Sequence, residues 1–187
     1  MQSLLKIISV LLILSGTAWA LRSLQTDTSI SQKSTEGVAV SSEQYQLVPG
    51  SVYDGDTLRA TDGNKEIKLR LCGIDAPEKD QALGIESRDH LRFLIAQGSG
   101  RLIVTATDVD QYDRTIAEVF VPVGDDEEEI HLNSQMLADG MAYVYPQYVS
   151  SCPNAQPMKI AERGAQEEKI GVWAEPVAEK PWDYRRR

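Results

Sequence analysis

Glu66-Ile67-Lys68-Leu69-Arg70-Leu71-Cys72-Gly73-Ile74-Asp75-Ala76-Pro77-Glu78 is the stretch on which the fold of this 187-residue chain turns. Successive side chains of a strand point to opposite faces, so Ile67, Leu69 and Leu71 share one face while Lys68 and Arg70 share the other. The apolar face needs a layer to pack on. The polar face delivers Arg70 beside whatever the preceding hairpin holds, and two further acids follow in the proline-containing loop Asp75-Ala76-Pro77-Glu78.

Working outward from it, Gln46 to Tyr53 reads as a strand bent at Pro49-Gly50 and leading into an Asp54-Gly55 turn. Thr57 to Thr61 continues as a strand, and Asp62-Gly63-Asn64 is a tight turn, since these residues tolerate positive φ. C-terminal to the central stretch, Leu91, Leu94 and Ile95 recur at helical spacing between Glu86 and Gln97, where Gly98-Ser99-Gly100 stops the helix. Arg101 to Ala106 and Thr115 to Val121 read as two strands joined through the turn Asp108 to Arg114. Five short strands separated by turn signals predict a small barrel, hence an α+β fold. Two later helices are expected, Asn133 to Asp139 closed by Gly140 and Met158 to Ile170 closed by Gly171. Trp173 is expected to pack on barrel or helix, and the tail over 175–187, ending in Arg185-Arg186-Arg187, to be a loose end, with a phosphate contact as the alternative.

The first twenty residues combine one cation, Lys6, an apolar run from Ile7 to Leu14 broken only by Ser9, and Ala18-Trp19-Ala20. That is the pattern of a secretory signal cleaved after Ala20. It predicts a secreted or periplasmic protein with no stable membrane insertion after cleavage, since Ser15-Gly16-Thr17 cuts the run short of a span of about 20 apolar residues. Residues 21–43, rich in Ser, Thr and Gln with no hydrophobic period, are expected to be a disordered linker. Residues 44–174 then make one domain, expected to be monomeric.

The formal net charge of −9 argues against a tight nonspecific nucleic-acid binder, which needs Lys and Arg to displace phosphate counterions. It leaves room for an enzyme that handles one phosphate with a bound cation and local arginines. Asp125-Asp126-Glu127-Glu128-Glu129 reads as a solvated loop between strand and helix. The two cysteines, Cys72 and Cys152, can form a disulfide in an oxidising compartment. The alternative is a buried apolar Cys72 with Cys152 a separate loop thiol.

Each acidic cluster alone is an ordinary turn; their combination supplies one of every part a phosphoryl-transfer site requires. Asp56, Asp75 and a backbone carbonyl are the hard oxygen donors a calcium ion takes. Glu78, three residues after Asp75, is available as a base for water. Arg70 and Arg114 are planar cations suited to the equatorial oxygens of a phosphorane-like centre. His90 and His131 have no partner at zinc spacing.

At Val52-Tyr53-Asp54-Gly55-Asp56-Thr57, Leu69 to Glu78, Tyr112-Asp113-Arg114, Leu132-Asn133, Ala142-Tyr143-Val144-Tyr145 and Gly171-Val172-Trp173 the chain resembles the staphylococcal nuclease (thermonuclease) family, over about residues 44–173. The resemblance implies an OB-type five-stranded barrel with three helices, and calcium-dependent hydrolysis of DNA and RNA to fragments ending in 3′-phosphate. By matching position it implies that Asp56, Asp75 and the backbone carbonyl of Ala76 ligate Ca2+ and that Glu78 activates or orients water. It likewise makes Arg70 and Arg114 phosphate clamps and lines the nucleotide pocket with Tyr112, Tyr143 and Tyr145. Two departures stand out: Asp113 where the family commonly has glycine, and Gln111 where a basic residue often sits. The rival expectation is a noncatalytic OB-type nucleic-acid-binding module, whose cue would be loss of Glu78 or of either arginine.

Overall fold

The computed structural model of the protein describes residues 42–124, 128–174 and 179–187. The expected signal, most of the expected linker and acids 125–127 lie outside the described residues. Eight strands and four helices occur among the described residues: β1 Ser42–Leu47, β2 Thr57–Thr61, β3 Glu66–Leu71, β4 Ile74–Asp75, α1 Gly84–Gln97, β5 Arg101–Val109, β6 Thr115–Val123, β7 Glu128–His131, α2 Leu132–Ala138, β8 Tyr143–Val144, α3 Ala155–Glu168 and α4 Pro181–Tyr184.

The main sheet runs β3-β2-β1-β5-β6-β7, and β3 also pairs with β6, which closes the first five strands into a barrel. The closing pair is parallel, with Leu69 opposite Thr115 and Leu71 opposite Ala117. β7 extends β6 outside the closed ring, and β4 pairs with β8 as a separate two-stranded ladder. Alternation decides what goes inside: Leu58 and Ala60 of β2, Leu69 and Leu71 of β3, Leu102 and Val104 of β5, and Ala117, Val119 and Val121 of β6 are all buried. Each such leucine is stabilised by about 1.5–3 kcal/mol relative to leaving it in water. The helices close the core with Leu91, Leu94 and Ile95 from α1, Leu132, Met136 and Leu137 from α2, and Met158 from α3.

Four differences from the sequence reading have local causes. The first strand lies over 42–47 rather than 46–53, because Gly50 turns the chain at φ +75° and the polar residues Ser42 to Gln46 pair with β5. α3 starts three residues early, since Pro157 falls in its first turn, where its missing N–H costs no helical bond. Glu128 and Glu129 are strand residues of β7 rather than loop. The expected loose end is in fact packed over 179–187, where Pro181 is buried at the start of α4.

Two buried cross-links hold the ends of these elements. Asn133 donates from Nδ2 to the carbonyl oxygens of Cys72 at 2.9 Å and Ala117 at 3.2 Å, and its Oδ1 accepts from Val119 N–H at 3.1 Å. Cys72 and Cys152 form a disulfide across 80 residues of chain. A loop of that length corresponds to about 4.5 kcal/mol in the chain-entropy model.

Candidate active site

The Asp54 to Thr57 turn is built by its own first side chain. Asp54 Oδ1 accepts from the backbone N–H groups of Asp56 at 3.1 Å and Thr57 at 2.7 Å, an Asx-type closure. Burial, and then the neighbouring charge of Asp56, push the Asp54 carboxyl up to about 7. Asp56 itself points inward: Oδ2 accepts from Ala76 N–H at 2.7 Å and Oδ1 from Thr57 Oγ1 at 3.1 Å. Its backbone carbonyl accepts from Leu71 N–H at 2.9 Å. The two acidic loops are therefore tied to each other and to β3. Gly55 permits this approach, since a Cβ there would lie 1.8 Å from Ser87 Oγ of α1.

Arg70 emerges from β3 between the two loops. Its Nη2 donates to Asp75 Oδ1 at 2.7 Å, and its Nη1 pairs with Asp56 Oδ2. Asp75 is 0% exposed and Arg70 9%, so neither charge is compensated by water. Burial alone would drive the proton off the guanidinium; the charges of Asp56, Asp75 and Asp54 outweigh it and hold Arg70 above its ordinary range. Burial raises the Asp75 carboxyl, with Asp56 adding to it and two arginines opposing. One guanidinium for two buried carboxylates leaves a deficit of positive charge.

Glu78 stands at the rim of this deficit. Its loop is held by Gln81, whose Oε1 accepts from Glu78 N–H at 3.1 Å and whose own N–H donates to the Glu78 carbonyl at 2.8 Å. Gly84 opens α1 directly against it, for a Cβ there would sit 1.9 Å from the Glu78 carbonyl oxygen.

The remaining positive charge comes from Arg185, a residue the sequence reading left in a loose end. Arg185 Nη1 donates to Asp75 Oδ1 at 3.0 Å and Glu78 Oε1 at 2.6 Å, and Nη2 donates to Asp75 Oδ2 at 2.8 Å. The only cue in the sequence was the Pro-Trp-x-Tyr-Arg composition of the tail, which carries no hydrophobic period.

The structure thus brings Asp56, Arg70, Asp75 and Glu78 together. Arg114 sits at the mouth of β6, where Asp110 Oδ2 accepts from its Nε at 2.6 Å. No hydrogen bond or ion pair among the described residues joins it to Asp75 or Glu78. The exposed Tyr112 ring lies 5.5 Å from its guanidinium. Asp113 adopts φ +58°, the left-handed region that favours glycine. Tyr143 lies opposite Asp75 in the β4–β8 ladder; it is buried, and its hydroxyl donates to the Val172 carbonyl at 3.2 Å. Burial, and then Glu162, push that hydroxyl up to about 12. Tyr145 stacks face to face on Trp182, with ring centroids 5.5 Å apart.

The donor set fits a hard divalent cation. Among the described residues no three His, Cys, Asp or Glu side chains group as a metal site; the oxygens that the resemblance assigns to a cation are those of Asp56 and Asp75 with the Ala76 carbonyl. Guanidiniums already stand on both carboxylates, Arg70 on Asp56 and Asp75 and Arg185 on Asp75.

A family model described as staphylococcal nuclease homologue matches residues 68–175. The chain is 34% identical over 138 residues to a micrococcal nuclease of Shigella flexneri, covering 72% of this chain and 77% of that one. It is 35% identical over 138 residues to an uncharacterized endonuclease of Escherichia coli, covering 73% and 82%. To an uncharacterized endonuclease of Haemophilus influenzae it is 38% identical over 138 residues, covering 73% and 70%.

Proposed function

Since the chain belongs to the staphylococcal nuclease family, we propose that it is an exported, calcium-dependent nuclease that hydrolyses phosphodiester bonds of DNA and RNA to products ending in 3′-phosphate. The observation that carries this reading is the buried Asp56–Arg70–Asp75 network with Glu78 on its rim. Such a cluster is expensive to build for stability alone, because desolvating two carboxylates and one guanidinium costs several kcal/mol per ion.

The residues divide the work as follows. Asp56, Asp75 and the Ala76 carbonyl would hold the cation, which when bound would supply charge neutralisation at the phosphate. Glu78, fixed by Gln81 and Gly84 and open to solvent on one side, takes a proton from the attacking water. Arg70, immobilised by two acids and 9% exposed, offers a preset donor to a phosphate oxygen. Arg114 is the second clamp; its route to the phosphate requires exchange of its bond to Asp110. Tyr112, Tyr143 and Tyr145 flank the nucleotide, Tyr145 through its ring face.

Export is supported by the signal-like pattern of Met1 to Ala20 and by a disulfide suited to an oxidising compartment. The test is digestion of DNA and RNA with purified protein in calcium or in a chelator. Cleavage in calcium that stops on chelation is expected. Intact substrate in both tubes at high protein concentration overturns the reading, and chelator-insensitive binding without cleavage establishes a noncatalytic module instead.

A further inference from the structure

The segment 179–187 lies against the β4–β8 ladder and touches four residues of the proposed site, Asp75, Glu78, Tyr143 and Tyr145. Its three anchors are different in kind. Lys180 Nζ sits 3.7 Å from the centre of the Tyr143 ring and 3.9 Å from that of Trp173, a cation held by two aromatic faces. Trp182 lies flat on Tyr145, the two planes within 6°, and meets Tyr143 edge-on at 6.0 Å. Arg185 caps Asp75 and Glu78. Gln81 adds a fourth tie, donating to the Glu179 carbonyl at 2.5 Å.

These contacts reproduce, with the protein's own side chains, the three things a nuclease site receives from outside. A positive charge occupies the Asp75 carboxylate, a flat aromatic ring covers the Tyr145 face, and one oxygen of the rim carboxylate Glu78 accepts from Arg185. The two guanidiniums on Asp75 differ in a way that matters. The Arg70 side chain is 11% exposed and rooted in β3, whereas that of Arg185 is 38% exposed and rooted in a four-residue helix at the chain end. Arg185 reaches the buried Asp75 carboxylate from the solvent side, so another cation arriving from solvent can take its place without moving β3. Stacking on Tyr145 is of the sequence-tolerant kind that nucleobases make.

Resting on the calcium-dependent reading above, we propose that residues 179–187 are a displaceable internal occupant of the active site: Arg185 and a divalent cation are mutually exclusive partners of Asp75, Glu78 is freed for water when Arg185 leaves, and Trp182 and a substrate base are mutually exclusive partners of Tyr145. Metal and nucleic acid enter by expelling the tail. The protein is autoinhibited at low calcium, and the apparent affinity for the cation is reduced by the fraction of molecules with the tail docked.

The experiment is calorimetric titration of the full chain with calcium alone, for wild type, Arg185→Ala and Trp182→Leu, beside DNA cleavage as a function of calcium. If the tail is docked in nine molecules of ten, both variants bind calcium about tenfold tighter than wild type, and the calcium needed for half-maximal cleavage falls by the same factor. Calcium added to wild type also changes tryptophan emission as Trp182 leaves Tyr145, a change that Trp182→Leu diminishes. Equal calcium affinities in all three proteins, with calcium-dependent cleavage intact, overturn the tail proposal and leave the function standing. No calcium uptake and no cleavage by any of them overturn both.

Discussion

Two buried carboxylates on the barrel are satisfied in opposite ways. Glu118, on the outward face of β6 and 1% exposed, accepts from Asn154 N–H at 2.7 Å and Asn154 Nδ2 at 2.6 Å. Those donors belong to the residue that starts α3, and they are neutral and fixed. Asp75 is at least as buried, but its partners are cations, one of which arrives from the far end of the chain. A buried acid matched by backbone and amide donors welds two elements; one matched by cations is, on the reading proposed above, a binding site. The difference separates structural burial of charge from functional burial within a single barrel.

The largest way to probe that contrast is Glu78→Gln, which removes the proton acceptor at the exchangeable end. We expect cleavage to fall about 10²- to 10⁴-fold with the thermal midpoint essentially unchanged; wild-type turnover would unseat Glu78 as the base. Arg70→Met tests the fixed half of the same network. It leaves Asp75 with Arg185 as its one cation and Asp56 with none, and a loss of about 3–5 kcal/mol in urea unfolding is expected, together with loss of activity.

Glu118→Gln should do the reverse of Glu78→Gln. It turns one acceptor towards the Asn154 donors into a donor, at a cost of about 1–3 kcal/mol, while turnover per folded molecule stays within twofold. His131 adds a pH signature to that weld. Its Nδ1 lies 2.8 Å from Ser134 Oγ and its Nε2 3.8 Å from Glu118; burial lowers its pKa below the usual 6.5, with Glu118 opposing. The unfolded chain therefore takes up the proton first. The His131 contribution is fully present above pH 6.5 and is lost as pH falls below it, a slope that His131→Gln should remove from stability measured between pH 5 and 7. The smallest effect is expected from Asp113→Gly, which relieves a left-handed non-glycine residue. A gain of about 1 kcal/mol or less is anticipated, and a measurable loss would show that the Asp113 side chain itself supports the turn.

Much of the barrel could be read from residues alone, because the alternation of Leu69, Arg70 and Leu71 fixes which face meets the core and which meets the site. The Asp54 to Thr57 turn and the Asp75 to Glu78 loop were legible for a related reason: short polar clusters flanking a strand are positioned by that strand. β1 was misplaced because it is mostly exposed, with Tyr45 as its deeply buried residue, so its pairing with β5 leaves almost no periodic trace. The tail escaped notice for a stronger reason. Its docking depends on contacts made by Glu179, Lys180, Trp182 and Arg185, mostly with partners far away in sequence, and no local pattern encodes a contact 110 residues distant. Arg114 shows the converse, since its position in the turn was foreseeable but its engagement with Asp110 was not.

The bridge between Cys72 and Cys152 encloses β4, α1, β5, β6, β7, α2 and β8 within one covalent ring. A protease that nicks any single peptide bond inside that ring opens it without releasing a fragment. The Arg70 strand and α3 stay on one molecule after such a cut, and only a thiol reductant separates the pieces. Durability against degradative enzymes is thereby a property of connectivity here, distinct from how tightly the core is packed.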